Sequence, residues 1–307
     1  MDLQQLNYKH LSTAFAVLFV LLNEKGNDME IIENKSFEFE RALYESDGVY
    51  LINCSFQGEA DGESALKESK NVKTKNCLFD LRYPFWHDNN VEISECEMTE
   101  KCRAPLWYTS YIDIKSSKLH GTKALRECND IKITDCDIAS SEFGWDSQDI
   151  EIVSSYAEGE YMLSRACNIS AQDLKMKGKY SFQYIKNAVF ENCVFDTKDA
   201  FWHAENVTVK NSVVKGEYLA WYSKNVTFEN CVITGTQPLC YCKGLRLINC
   251  EMHKCDLAFE KSEVEAEITT PVISIKNVLK GKITVPCVDE IICDHPHYKG
   301  IIQIKSK

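Results

Sequence analysis

The five tryptophans of this chain are Trp86, Trp107, Trp145, Trp202 and Trp221. Trp202 and Trp221 are one step of nineteen apart, Trp107 and Trp145 two such steps, and Trp145 and Trp202 three. Each tryptophan is followed by a side chain that can bond or titrate: His87, Tyr108, Asp146, His203 and Tyr222. Arg126-Glu127 holds the same two places between Trp107 and Trp145, and Arg165 and Tyr184 continue the second place beyond Asp146. If one step makes one turn of a stacked structure, Glu127 and Asp146 sit on adjacent strands about 4.8 Å apart. Two carboxylates that close repel when ionised, which raises at least one pKa toward use as a general acid. A spacing of about 5–5.5 Å is also the one used in retaining glycoside hydrolysis. The candidate catalytic group is therefore Glu127, Asp146, Arg126 and Arg165. A plainer reading pairs the charges as Arg126–Glu127 and Asp146–Arg165, a ladder that neutralises itself. The candidate ligand-binding group is Trp86, His87, Trp107, Tyr108, Trp145, Tyr184, Trp202, His203, Trp221 and Tyr222. His87 and His203 lie six turns apart and cannot share one small substrate, so they favour an extended ligand.

The elements that position these residues follow from a repeat, apolar-x-apolar-x-x-Cys/Ser-x-apolar. Its sixth position falls at Cys54, Cys77, Cys96, Ser117, Cys136, Ser155, Leu174, Cys193, Ser212, Cys231 and Cys250, and from Ser117 onward every step is nineteen. The segments are β-branched and alternate with period two, which is strand patterning. So short a unit leaves no room for paired-helix repeats, and the leucine-rich core pattern is missing. The predicted fold is all-β: a right-handed parallel β-helix of about twelve coils over 29–264, with 265–307 as an irregular cap and tail. Asn71, Asn90, Asp130, Asp149, Asn168, Asn187, Asn206 and Asn225, six residues before the repeat site, predict a left-handed corner. Gly121, Gly159, Gly178, Gly216 and Gly235, four residues past it, predict a second. The Cys/Ser column is expected to face the lumen as a small space-filler. Counting from that site, the eighth and eleventh columns face inward. The ninth, which holds the tryptophans, and the tenth, which holds Glu127 and Asp146, face outward as a ridge.

Composition narrows the function. A net charge of −11 argues against nucleic acid, which needs clustered Lys and Arg. No apolar run reaches the roughly 20 residues of a membrane span, so no membrane partner is expected. Fifteen cysteines is an odd count in a long chain, and stacked side chains run parallel, beyond disulfide geometry. Free thiols in a reducing cytoplasm are expected. Cys240-Tyr241-Cys242 with Cys255, and Cys287 with Cys293, His295 and His297, lack established zinc spacing, so no metal and no cofactor is assigned. Leu11 to Leu22 has the length of a signal core but lacks a clear positive flank and a cleavage site. Residues 1–28 therefore read as an appendage, or an over-extended start.

Several segments resemble an uncharacterised bacterial family, domain of unknown function 3737. They include Asp61 to Ser69, Asp80 to His87, Cys102 to Tyr108, Lys123 to Cys128, Glu142 to Trp145, Gly178 to Tyr184, Asp196 to His203, Gly216 to Tyr222 and Gly235 to Cys242. The resemblance runs from about Met29 to Cys293. It implies a β-helix similar to pectin-lyase-like folds, and brings no assigned reaction and no catalytic residues. Three classes of function stay open: a glycan-acting enzyme, a binding module and a structural solenoid. No Asn-Thr-Asp, Asp-Asp or Gly-His-Gly run of the polygalacturonase kind is found, nor an Asp set suited to a calcium-dependent lyase. The leading expectation is binding of an extended ligand along the ridge, with carbohydrate as the candidate class. Carbohydrate chemistry is the alternative, and oligomeric state is not specified.

Overall fold

A computed structural model describes residues 29–58 and 63–305; the N-terminal appendage lies outside them. Valine and isoleucine at alternate positions make six-residue strands such as Asn89–Ser94, Ser110–Lys115 and Asn129–Thr134. They stack in parallel with no slip: Val72, Val91, Ile112, Ile131, Ile150 and Ile169 lie one above another. A second wall is built from shorter strands, with Phe79, Met98, Leu119, Ile138, Ala157 and Met176 in line. The inward residues of both walls form one continuous apolar core. Among the described residues there is no helix, and the chain makes about fourteen turns of a parallel β-helix.

The asparagine corner is as expected. Asn71, Asn90, Asn168, Asn187, Asn206 and Asn225 all have φ between 52° and 60°. Their amides bond from coil to coil, as in Asn187 to Asn168 at 3.2 Å and Asn206 to Asn187 at 3.1 Å. The glycine column makes a corner only in part: Gly121, Gly216 and Gly235 lie outside the strands, at or beside bends. Gly159 and Gly178 lie inside the strands Tyr156–Glu160 and Lys175–Lys179. A Cβ on Gly178 would run into the carbonyl oxygen of Gly159, so glycine is required there by close approach of backbones.

Stacking continues past Val264, where the repeat pattern predicts an irregular cap. Glu263–Ile268 pairs in parallel with Lys280–Val285, and that strand pairs with Ile301–Ile304. Val272–Lys276 and Val288–Ile292 form a second parallel pair. Val264 is opposite Gly281, so this coil is shorter than its predecessors and the sequence pattern loses its register there.

The third wall changes character partway along. Phe85–Trp86, Leu106–Trp107 and Leu125–Arg126 form a short parallel sheet. From Gly144 onward the eighth column turns left-handed, at Gly144, Leu163, Phe182, Phe201, Ala220 and Leu239. Hydrogen-bond polarity reverses with it. Phe85 and Leu106 donate forward, to the carbonyls of Pro105 and Ala124 in the following coil. Gly144, Leu163 and Phe182 donate backward, to Leu125, Phe143 and Met162. The reversal forms a seam between the coils of Leu125 and Gly144. Gly144 is itself left-handed, and a Cβ there would displace the Leu163 Cδ2 methyl, so a side chain at the seam is strained.

Candidate functional site

The ridge starts from a corner that backbone chemistry fixes. Every tenth-column residue from Glu68 to Tyr241 is left-handed, including His87, Tyr108, Glu127, Asp146, Arg165, Tyr184, His203 and Tyr222. Each donates its N–H to the ninth-column carbonyl of the next coil, as Glu127 does to Trp145 and Asp146 to Ser164. This turn leaves the tenth side chain outside and turns the eleventh inward. Tyr108, Tyr184 and Tyr222 are 40%, 50% and 45% exposed, while Ser69, Thr109, Cys128, Ser147 and Ser223 are buried. Trp86, Trp107, Trp145, Trp202 and Trp221 are half-buried beside them.

The inward Cys and Ser columns bond as well as fill space. Cys193 donates to Ala171 O in the preceding coil at 3.7 Å, and its N–H is accepted by Ser212 Oγ of the following coil at 2.9 Å. The same link joins Cys136 to Ser155 at 3.1 Å. At the second corner, Thr109 donates to Phe85 O at 2.8 Å and Ser262 to Leu239 O at 2.7 Å. A left-handed residue just ahead of each slot takes its N–H out of the strand ladder, and a small side chain with a polar tip answers it.

Asp88 occupies one of these eleventh-column slots, and sequence reasoning passed over it. Its Oδ1 accepts the Ser69 N–H at 3.0 Å, but its buried Oδ2 has no partner. Burial pushes its carboxyl up to about 9, against the Ser69 and Glu68 backbone N–H groups, which lower it. Asp88 is therefore a neutral acid at pH 7, and a proton on Oδ2 gives it the donor that Thr109 and Ser262 carry. The readable signal was a lone acid in a column made largely of Ser, Cys, Thr and Ala.

The aromatic rings stack from coil to coil. Trp86 lies on Trp107 at 5.5 Å and 10°, and Trp202 on Trp221 at 5.4 Å and 4°. His203 is held between Tyr184 and Tyr222 at 4.8 and 5.1 Å, and His87 lies on Tyr108 at 4.9 Å. Arg126 fills the gap between Trp107 and Trp145, 5.8 and 5.6 Å from their centroids, and so covers the faces expected to stack a planar ligand. Trp202 and Trp221 are pinned by indole N–H bonds to Tyr218 O and Gln237 O. The ridge therefore presents ring edges and tenth-column tips rather than open faces.

The four candidate catalytic residues are brought together as charge pairs. Arg126 Nε lies 3.1 Å from Glu127 Oε1, and Arg165 Nε lies 2.7 Å from Asp146 Oδ1. The rise expected for a general acid is not what Glu127 receives. Partial burial raises its carboxyl, but hydrogen bonds from Tyr108 and Arg126 outweigh that and hold it below the usual carboxylate range. An open depression of about 530 Å³ lies beside the pairs, lined by Tyr108, Glu127, Asn129, Asp146, Gln148 and Arg165. Asn129 and Gln148 come from the twelfth column, the far bank of the groove, which the ridge reading did not include.

The protein-family model described as "Protein of unknown function (DUF3737)" matches residues 30–305. The chain belongs to this family. No curated protein matches it. Among solved structures, the A-module of the Azotobacter vinelandii mannuronan C-5 epimerase AlgE4 is 11% identical, with a TM-score of 0.30, over 89% of this chain and 87% of that one. PfbA, a surface adhesin of Streptococcus pneumoniae, is 10% identical, with a TM-score of 0.28, over 84% and 71%. QnrB1, a plasmid-mediated fluoroquinolone resistance protein, is 12% identical, with a TM-score of 0.21, over 74% and 90%. At these identities and TM-scores the likeness carries no argument about this chain.

Proposed function

We propose that this member of the family is a binding protein that holds an extended, hydroxyl-rich polymer along the ridge of the ninth and tenth columns. The observation that carries the reading is a contrast between corners within one molecule. At the corner six residues before the repeat site, left-handed backbone is assigned mostly to Asn and Asp, the residues that tolerate it. At the tenth column the same backbone carries His, Tyr, Glu and Arg, most of them exposed. A left-handed residue without such tolerance costs roughly 1–2 kcal/mol. A surface that spends this coil after coil on exposed donors, acceptors and ring edges has a use for them. Left-handed Leu163, Phe182 and Phe201 in the eighth column fill the core, whereas the tenth-column side chains face outward and fill none. A hydrolase is less well supported, because Glu127 is paired and held ionised.

A glycan array probed with the purified chain tests the reading, with Tyr184→Ala, His203→Ala, Tyr222→Ala and the three combined as comparison proteins. Binding of at least one polysaccharide is expected, with affinity falling several-fold in each variant. Polysaccharide binding that survives the triple variant unchanged, or none to any glycan, refutes it.

A further inference from the structure

Within that ridge, and resting on the reading above, we infer that the seam between the coils of Leu125 and Gly144 forms one distinct subsite, built for an uncharged sugar unit. In a regular solenoid each coil presents the same surface as the next, so a ligand has no reason to settle at one coil. The seam breaks that equivalence. The third wall changes there from a strand with forward-donating N–H groups to a turn with backward-donating ones. Directly outside it the outward residues change from Tyr108 and Glu127 to Asp146 and Arg165, and the depression of about 530 Å³ spans these four.

The lining specifies the ligand. Asp146 commits one carboxylate oxygen to Arg165, which leaves the other as an acceptor, while Glu127 is already shared between Arg126 and Tyr108. Arg165 bonds Asp146 through Nε, so the two terminal nitrogens of this exposed guanidinium remain as donors. Gln148 on the opposite bank adds an amide. Acceptors and donors thus alternate within one small hollow. A sugar hydroxyl both donates and accepts, and neighbouring hydroxyls match such an alternation. The two carboxylates are balanced by Arg126 and Arg165, so the hollow has no excess charge to favour an anionic or a cationic ligand.

The test is titration calorimetry with the intact chain and three probes: cellohexaose as a neutral oligosaccharide, polygalacturonate as a polyanion and polylysine as a polycation. The variants are Asp146→Asn, Arg165→Gln, Gln148→Ala and the distant Tyr222→Ala, each checked by circular dichroism and melting. Cellohexaose should bind best, and Asp146→Asn and Arg165→Gln should each weaken it by tenfold or more, against two- to threefold for Tyr222→Ala. Gln148→Ala touches no ion pair and should still weaken binding several-fold, which keeps the test decisive if a charge variant misfolds. Equal losses at the seam and at Tyr222 would overturn the subsite while leaving the ridge intact. Loss at the seam with no loss at Tyr222 would sustain the subsite and overturn the extended ridge. Preference for either charged probe, or no binding of cellohexaose, overturns the inference.

Discussion

Replacing Asp88 by asparagine should stabilise this protein, by an amount that grows with pH. The wild-type side chain is folded as a neutral acid with its carboxyl near 9, whereas in the unfolded chain it returns to about 3.9. Its folded pKa is raised, so between about pH 4 and pH 9 the native state holds a proton that the unfolded state has lost. Stability from this group is fully present below pH 4 and falls by about 1.4 kcal/mol per unit until about pH 9. At pH 7 the accumulated cost is about 4 kcal/mol. Asparagine keeps the acceptor for the Ser69 N–H and carries a permanent donor where Asp88 must recruit a proton. The gain in Asp88→Asn is therefore expected near zero at pH 4 and up to about 4 kcal/mol at pH 7. Urea melts of both proteins from pH 4 to pH 9 read it directly, since all other titrating groups cancel in the difference. Exchange of the Ser69 amide gives a local check. A difference that does not change with pH, or a variant less stable than wild type at pH 7, would refute the reasoning.

Other outcomes follow from the coil geometry. All fifteen cysteines are unbridged, so a thiol count under denaturing, non-reducing conditions should find all fifteen reactive. Cys193→Ser should melt close to wild type, whereas Cys193→Val should lose about 1–2 kcal/mol, because valine cannot donate to the Ala171 and Glu191 carbonyls. Gly144→Ala should destabilise by about 1–3 kcal/mol in urea melts, since the new methyl would strike Leu163 in a left-handed backbone.

The sequence was most legible where a physical requirement recurs in every coil. Alternating valine and isoleucine announced the first wall, and asparagine once per repeat announced its corner. The outward turn of the tryptophan and tenth columns was legible because apolar and small columns enclose them. What stayed hidden did not repeat. Asp88 is one acid in a whole column of slots, and its meaning depends on burial and on a missing partner. Gly144 looks like any glycine until Leu163 is placed beside it. The strands after Val264 escaped because the short coil that sets Gly281 opposite Val264 breaks the count. The pairing of Glu127 with Arg126 was visible as an alternative, but adjacency in sequence could not decide it against repulsion by Asp146; side-chain geometry did.

The Cys and Ser links also give the molecule a direction of assembly. The Cys54 N–H is answered by Cys77, that of Cys77 by Cys96, that of Cys96 by Ser117 and that of Cys193 by Ser212. In each case the acceptor belongs to the coil that comes later in the chain. A nascent chain leaving the ribosome thus completes each of these coils only when its successor arrives, and carries a single unfinished edge at its growing end. Trimming the chain from its C-terminus through these coils reopens the buried N–H of a Cys slot, whereas trimming from the N-terminus frees other N–H groups, such as those of Leu78 and Glu97, which bond back to Cys54 and Cys77. At these slots the protein is closed from behind, one coil at a time, each later coil acting as the latch for the one made before it.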